Sequence, residues 1–197
     1  IGDIAMVIST SHPEIRSLED WMQNPPKGKE WVNGKLVDKH PQIWVEGQAI
    51  ENNGRTLKHS EIQADLAFYW KGHSQSNQQG GKVYTEAPCR TRKQGRYPDV
   101  VYLTPELFTQ FGNEKFLPQS FPLSAEIVSP TDFAEDVIAK AYEYLQSGGE
   151  EVWLVFPENR WIIVVTNSAR KIFASGDVVA TQAVLVGFSI AVDDLLA

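Results

Sequence analysis

The chain of 197 residues carries 18 Lys and Arg against 25 Asp and Glu, a formal net charge of −7, and one cysteine. That length suits one domain able to bury a core without cross-links, and the lone Cys89 excludes an internal disulfide or a multi-cysteine metal site, in keeping with a reducing cytoplasm. The acidic balance argues against coating long nucleic acid by charge alone, and no apolar run approaches the ~20 residues of a membrane span.

The sequence begins at Ile1 and not at Met, which leaves a trimmed targeting segment open. Ser11-His12-Pro13-Glu14 is expected to open a short helix, with Ile15, Leu18 and Trp21 spaced for one buried side, ended by Pro25-Pro26. Residues 1–29 thus form an N-terminal helical extension. Glu30 to Val37 is a hairpin signal, because Asn33-Gly34 supplies the positive φ angles of a tight turn. A second strand pair, Gln42 to Glu46 and Gln48 to Glu51, precedes Asn52-Asn53-Gly54.

A helix is predicted from Lys58 to about Gly72, with Ile62, Leu66, Tyr69 and Trp70 at helical spacing, followed by a polar loop from Gln75 to Gly81. Lys82 to Arg92 reads as a strand broken near Pro88, and Arg96 to Leu103 as the next. Thr104-Pro105-Glu106 caps a short helix to about Phe111. After the unit described next, Trp161 to Thr166, Lys171 to Ala174 and Val178 to Val186 form a closing meander of strands.

The centre of the chain reads as strand, helix, strand. Phe121 to Val128 is a mainly apolar run, expected of a strand covered on both faces, yet it carries Glu126. An unpaired carboxylate there would cost several kcal/mol, so it needs a partner. Thr131 offers an N-cap, Asp132 and Glu135 suit a first turn, and Gly148-Gly149 stops the helix before a strand from Glu150 to Phe156. From Glu126 to the strand end is roughly 10 to 13 Å outward at ~3.3 Å per residue. From Thr131 to Lys140 is about 13 Å back at ~1.5 Å per residue. A helix antiparallel to its strand therefore sets Lys140 level with Glu126, at the edge of an apolar arc that includes Phe133, Val137, Ala141 and Tyr144.

If the Asp99 strand runs antiparallel beside the Glu126 strand, then Asp99, Glu126 and Lys140 converge. Two carboxylates that close repel, and one pKa rises unless a cation sits between them. Oxygen-only ligation suits Mg²⁺ or Mn²⁺, with the Ile127 carbonyl as a further ligand, and a nearby ammonium suits phosphodiester hydrolysis. Each residue also has a plainer reading: Asp99 as a strand-end residue after Pro98, Lys140 as a snorkelling lysine, Glu126 in a structural ion pair. Around them, Glu61 is either a third site carboxylate or a solvated first-turn acid, and His59 either a helix-terminus or a substrate contact. Glu30 points toward the site or simply flanks the hairpin. Arg90, Arg92, Lys93 and Arg96 form a basic cluster that either holds a phosphate backbone or is merely solvated.

Tyr97-Pro98-Asp99-Val100-Val101, Ala125 to Asp132, Lys140 with Tyr144-Leu145 and Gly148, and Glu151 to Val155 together resemble the Uma2 family. That family is restriction-endonuclease-like, was long carried as a domain of unknown function, and is abundant in cyanobacteria. The resemblance runs from about Glu30 to the C-terminus and implies an α/β fold with a PD-(D/E)XK core, a central mixed sheet flanked by helices, over residues 30–197. It implies Asp99 and Glu126 as metal ligands, Lys140 as the motif lysine, Mg²⁺ or Mn²⁺ as cofactor and DNA as substrate. Because many such nucleases pair to cut both strands, it also implies a homodimer. The alternative it leaves is an inactive nuclease-fold module that binds nucleic acid or a protein, and a third possibility is hydrolysis of some other phosphodiester. The chain departs from the pattern at Val128, where the motif's Lys would stand, and at Phe156-Pro157, where the family often has Asp before Pro. The segment Lys39 to Gly54, with Trp44, has no equivalent in the pattern and carries no assigned role.

Overall fold

A computed structural model describes residues 15–39, 43–45, 48–50, 56–130 and 132–197. In chain order the elements are α1 (Leu18–Gln23), β1 (Lys29–Val32), β2 (Lys35–Asp38), β3 (Ile43–Val45), β4 (Gln48–Ile50), α2 (Leu57–Ser76) and β5 (Lys82–Thr85). They continue with β6 (Cys89–Arg90), β7 (Gly95–Arg96), β8 (Val100–Leu103), α3 (Pro105–Phe111), β9 (Leu123–Ile127), α4 (Ala134–Leu145) and β10 (Glu151–Phe156). The last are β11 (Trp161–Thr166), β12 (Arg170–Phe173), β13 (Val178–Ala180), β14 (Ser189–Ala191) and α5 (Val192–Leu195).

The central sheet runs β12-β11-β10-β9-β8-β5; β9 and β10 are parallel and every other neighbouring pair is antiparallel. It is therefore the mixed α/β sheet expected, and both faces are covered. Val100, Ala125, Ile127, Trp153 and Val155 pack with Ile62, Leu66 and Trp70 of α2. The alternate residues, Val101, Leu103, Val152 and Leu154, pack with Val137, Ala141 and Tyr144 of α4. Strand alternation places Glu126 on the α4 side of the sheet, and Asp99 stands beside it just before β8.

A second sheet, β2-β1-β7-β6, stands beside the first. Its hairpin turns at Asn33 (φ 50) and Gly34 (φ 78), with Val32 opposite Lys35, as the Asn-Gly signal requires. The β3–β4 pairing also forms, Val45 opposite Gln48. α1 starts at Leu18, later than predicted, because Ser17 is extended (φ −145) and its side chain accepts the Asp20 N–H at 3.0 Å. The expected opening at Ser11 to Glu14 lies outside the described residues, as do Asn52-Asn53-Gly54 and the Thr131 cap. α1 packs on the small sheet through Leu18, Trp21 and Met22 against Trp31 and Tyr97.

Three other departures have physical causes. The break expected near Pro88 falls between β5 and β6, but these belong to different sheets, and the strand predicted across Pro98 likewise divides between the sheets, proline having no N–H for a ladder. α4 begins at Ala134 because Asp132 is not in its first turn: the Asp132 carboxylate accepts the Ser129 N–H at 2.8 Å and its own N–H returns to the Ser129 carbonyl. The run Val178 to Val186 is not one strand. The buried Glu151 carboxylate gathers the N–H groups of Gln182 and Ala183, each at 2.7 Å, and the chain turns back through Gly187 (φ 82) into β14 and α5.

Candidate active site

Asp99 lies just before β8, where its N–H bonds the Ala125 carbonyl at 3.1 Å and its own carbonyl accepts Gln63 Nε2 at 2.8 Å. The carboxylate is 2% exposed. Oδ2 accepts the Ile127 N–H at 2.7 Å and faces His59 Nε2 at 3.4 Å, while Oδ1 accepts from Lys39 Nζ at 2.6 Å. Burial alone would raise this carboxyl, but Lys39 and His59 hold it well below the usual carboxylate range.

Glu126, next door on β9, meets α4. Its Oε1 accepts from the Tyr144 hydroxyl at 2.6 Å and its Oε2 from Lys140 Nζ at 3.2 Å. Here burial wins: with Asp99 and Glu30 adding negative charge, it pushes the Glu126 carboxyl up against the opposing pull of Lys140 and Lys39. The split between the two carboxyls is what like charges in one site produce. Lys140 is shifted upward too, since Glu126 and Glu30 outweigh the burial that would lower it, so its ammonium stays charged.

Glu30, whose direction the sequence left open, points inward. Its Oε1 lies 3.3 Å from Lys140 Nζ and accepts the Tyr97 N–H, and its Oε2 accepts from Arg96 Nη1 at 2.9 Å. Although burial opposes it, the cations Lys140, Arg96 and Lys39 lower this carboxyl to about 2. Arg96 continues the chain of charge with two hydrogen bonds to Glu143, at 3.1 and 2.6 Å. A cleft of about 650 Å³ opens here, walled by Glu30, Lys39, Arg96, Asp99, Glu126 and Lys140.

The structure brings Asp99, Glu126 and Lys140 to one cleft and leaves others out. Glu61 is solvent-exposed and pairs with Lys58 at 3.4 Å, because the buried stripe of α2 is His59, Ile62, Gln63 and Leu66, and position 61 falls on the far side. The basic cluster is divided. Arg96 is turned inward between two carboxylates instead of facing a phosphate backbone, Arg90 pairs with Glu19 on α1, and Arg92 and Lys93 are exposed on the β6–β7 turn. Lys39 escaped the sequence reading. Its signal was its place one residue past a hairpin strand, where its N–H bonds the Gly28 carbonyl at 2.9 Å. Among the described residues, no three His, Cys, Asp or Glu side chains are disposed to hold a metal ion. Two carboxylates remain, a donor set suited to a hard dication that keeps its waters.

The Uma2 family, described as "Putative restriction endonuclease", matches residues 18–193, a span that takes in α1 and every strand to β14. The chain belongs to this family. Its fold is shared with a solved protein from Anabaena variabilis ATCC 29413, described as a putative nuclease belonging to DUF820: TM-score 0.72, 17% identity, 91% of this Uma2 chain and 97% of that one. At that identity the likeness establishes the fold, a nuclease-type α/β core, and nothing finer. No curated protein matches the sequence.

Proposed function

We propose that this Uma2 chain is a Mg²⁺- or Mn²⁺-dependent DNA endonuclease with Asp99, Glu126 and Lys140 as its site. The observation that carries this reading is Lys140 Nζ at 3.2 Å from Glu126, inside an open cleft that Asp99 also lines. Asp99 and Glu126 would hold the ion, which when bound supplies Lewis acidity toward a phosphate oxygen and a more acidic water. The fit is one of donor chemistry: two oxygens-only side chains, one held ionised and the other, Glu126, with its charge poorly compensated.

The chain's own groups then have distinct tasks. Tyr144 fixes one oxygen of Glu126, and Ile127 N–H fixes one of Asp99. Lys140, kept charged by Glu126 and Glu30, acts as a fixed positive charge that offsets the charge growing on the phosphoryl oxygens; it is not the base. Water adds to phosphorus as the P–O bond to one sugar breaks; one proton of the water is passed through solvent to the leaving sugar oxygen, which departs as a hydroxyl, and the phosphate stays with the other product. Arg92 and Lys93, exposed on their turn, contact the DNA backbone, and a homodimer presents two sites to a duplex. No helix among the described residues is long and apolar enough to cross a membrane; on the proposed reading the protein works on DNA in the cytoplasm.

The test is cleavage of duplex, single-stranded and branched DNA with Mg²⁺ or Mn²⁺ beside Glu126→Gln and Lys140→Ala. Metal-dependent cutting lost in both variants supports the assignment; equal cutting by wild type and variants sinks it. A second reading, a nuclease fold that binds without cutting, is favoured by one observation: Lys39 already neutralises Asp99. That protein would hold nucleic acid unchanged when Asp99 and Glu126 are both replaced.

A further inference from the structure

The two oxygens of Asp99 are not alike. Oδ2 is held by the fold itself, through the Ile127 N–H and beside His59. Oδ1 is held by a side chain, Lys39 Nζ at 2.6 Å. The side chain of that lysine is 3% exposed, and besides Asp99 its ammonium has the Glu86 carboxylate at 3.8 Å. Its backbone is anchored past the end of β2 on the Gly28 carbonyl, so the part free to move is the flexible four-carbon stem. An ammonium and a divalent ion compete for one carboxylate oxygen, because the two cations repel at that separation, the more so where the oxygen is buried. Of the cations in this cleft, Lys140 is placed otherwise: it bridges Glu126 and Glu30 and touches neither oxygen of Asp99.

We propose that Lys39 is the internal counter-cation of Asp99 and exchanges with the divalent ion at Oδ1, so that metal entry and withdrawal of Lys39 are one linked event. The inference rests on the metal role of Asp99 given above. It has two consequences. Metal affinity in the wild type is lowered by the work of expelling Lys39, and by reciprocity metal drives Lys39 out of its buried position. The released ammonium then stands free at the cleft wall, where a substrate phosphate is the anion it would meet.

Both consequences are measurable without any turnover. Calorimetric titration of Mn²⁺ into wild type, Lys39→Met and Lys140→Met is expected to show tighter binding by tenfold or more in Lys39→Met, and a smaller gain in Lys140→Met; Lys39→Gln replaces Lys39→Met should the latter not fold. In parallel, an amine-reactive label read by mass spectrometry is expected to modify Lys39 of the wild type several-fold faster with saturating Mn²⁺ than without. Lys39 of Asp99→Asn is expected to label fast in both conditions. If wild type binds Mn²⁺ and Lys39→Met binds no tighter, or Lys140→Met gains as much, or Lys39 labelling ignores the metal, the exchange is overturned while the metal site stands. If neither wild type nor Lys39→Met binds Mn²⁺ although both are folded, the exchange and the metal reading of Asp99 and Glu126 fall together.

Discussion

Replacing Glu30 by Gln removes the negative charge that joins Lys140 to Arg96, while keeping an oxygen for the Tyr97 N–H. A buried carboxyl moved from its ordinary 4.5 to about 2 corresponds to about 3 kcal/mol, at ~1.4 kcal/mol per pH unit. Because the folded value lies below the unfolded one, that stabilisation is present above pH 4.5 and is lost as the pH falls toward 2. Urea unfolding of wild type and Glu30→Gln at pH 7, 5, 4 and 3 should therefore show a gap of about 3 kcal/mol at neutral pH that narrows steadily in acid. Asp99, also held low, acts in the same direction in both proteins and drops out of the difference. A gap that is the same at every pH would show that Glu30 stabilises through shape and not charge. No gap at all would refute the ion network as a source of stability.

Tyr144→Phe leaves a Glu126 oxygen buried without its 2.6 Å hydrogen bond, so a loss of about 1–3 kcal/mol is expected in urea unfolding, together with weaker Mn²⁺ binding. On the proposed reading, proton and metal compete for the Glu126 carboxyl, which is pushed up: Mn²⁺ affinity should rise with pH up to that raised pKa and level off above it, and calorimetry on Glu126→Gln should show the dependence gone. Gly95→Ala would set its Cβ 2.4 Å from Trp21 Cε3, in the packing of α1 on the small sheet; a drop in melting temperature of several degrees, or no folded protein, is expected by thermal denaturation.

Where the sequence was readable, the reason was local geometry. Rise per residue alone set Lys140 level with Glu126, and the pairing of Val100 with Ala125 supplies the antiparallel neighbour on which the approach of Asp99 depended. Asn33-Gly34 fixed a hairpin because its turn demands those residues. What escaped was decided by partners distant in sequence. Glu30, Arg96 and Glu143 find one another across more than 45 residues, and Lys39 reaches Asp99 across 60. No periodicity records such pairs. The C-terminal meander failed for a similar reason: Val184 to Val186 are apolar enough for a strand, but Glu151, some 30 residues earlier, captures the adjacent N–H groups and forces a turn.

The charges of the cleft carry one further step. Glu30, Asp99, Glu126, Asp132, Asp136 and Glu143 outnumber Lys39, Arg96 and Lys140, and each of those cations is already within ion-pair distance of at least one of the acids. A phosphodiester approaching this wall meets no uncommitted positive charge among the described residues, so on the proposed reading its capture in the cleft waits for a dication. Once two positive charges enter beside Asp99 and Glu126, the charge of those two carboxylates is cancelled, and on that reading Lys39 is released to face the substrate. On that reading, a cleft that repels its substrate until metal is bound lets a chain of net charge −7 act on DNA without a basic groove: most of the affinity is lodged in the metal-loaded site, with Arg92 and Lys93 adding contacts at the surface. DNA binding should accordingly be weak in chelator and strengthen with metal, the reverse of a protein that grips the backbone with lysine and arginine alone, whose affinity divalent salt only weakens.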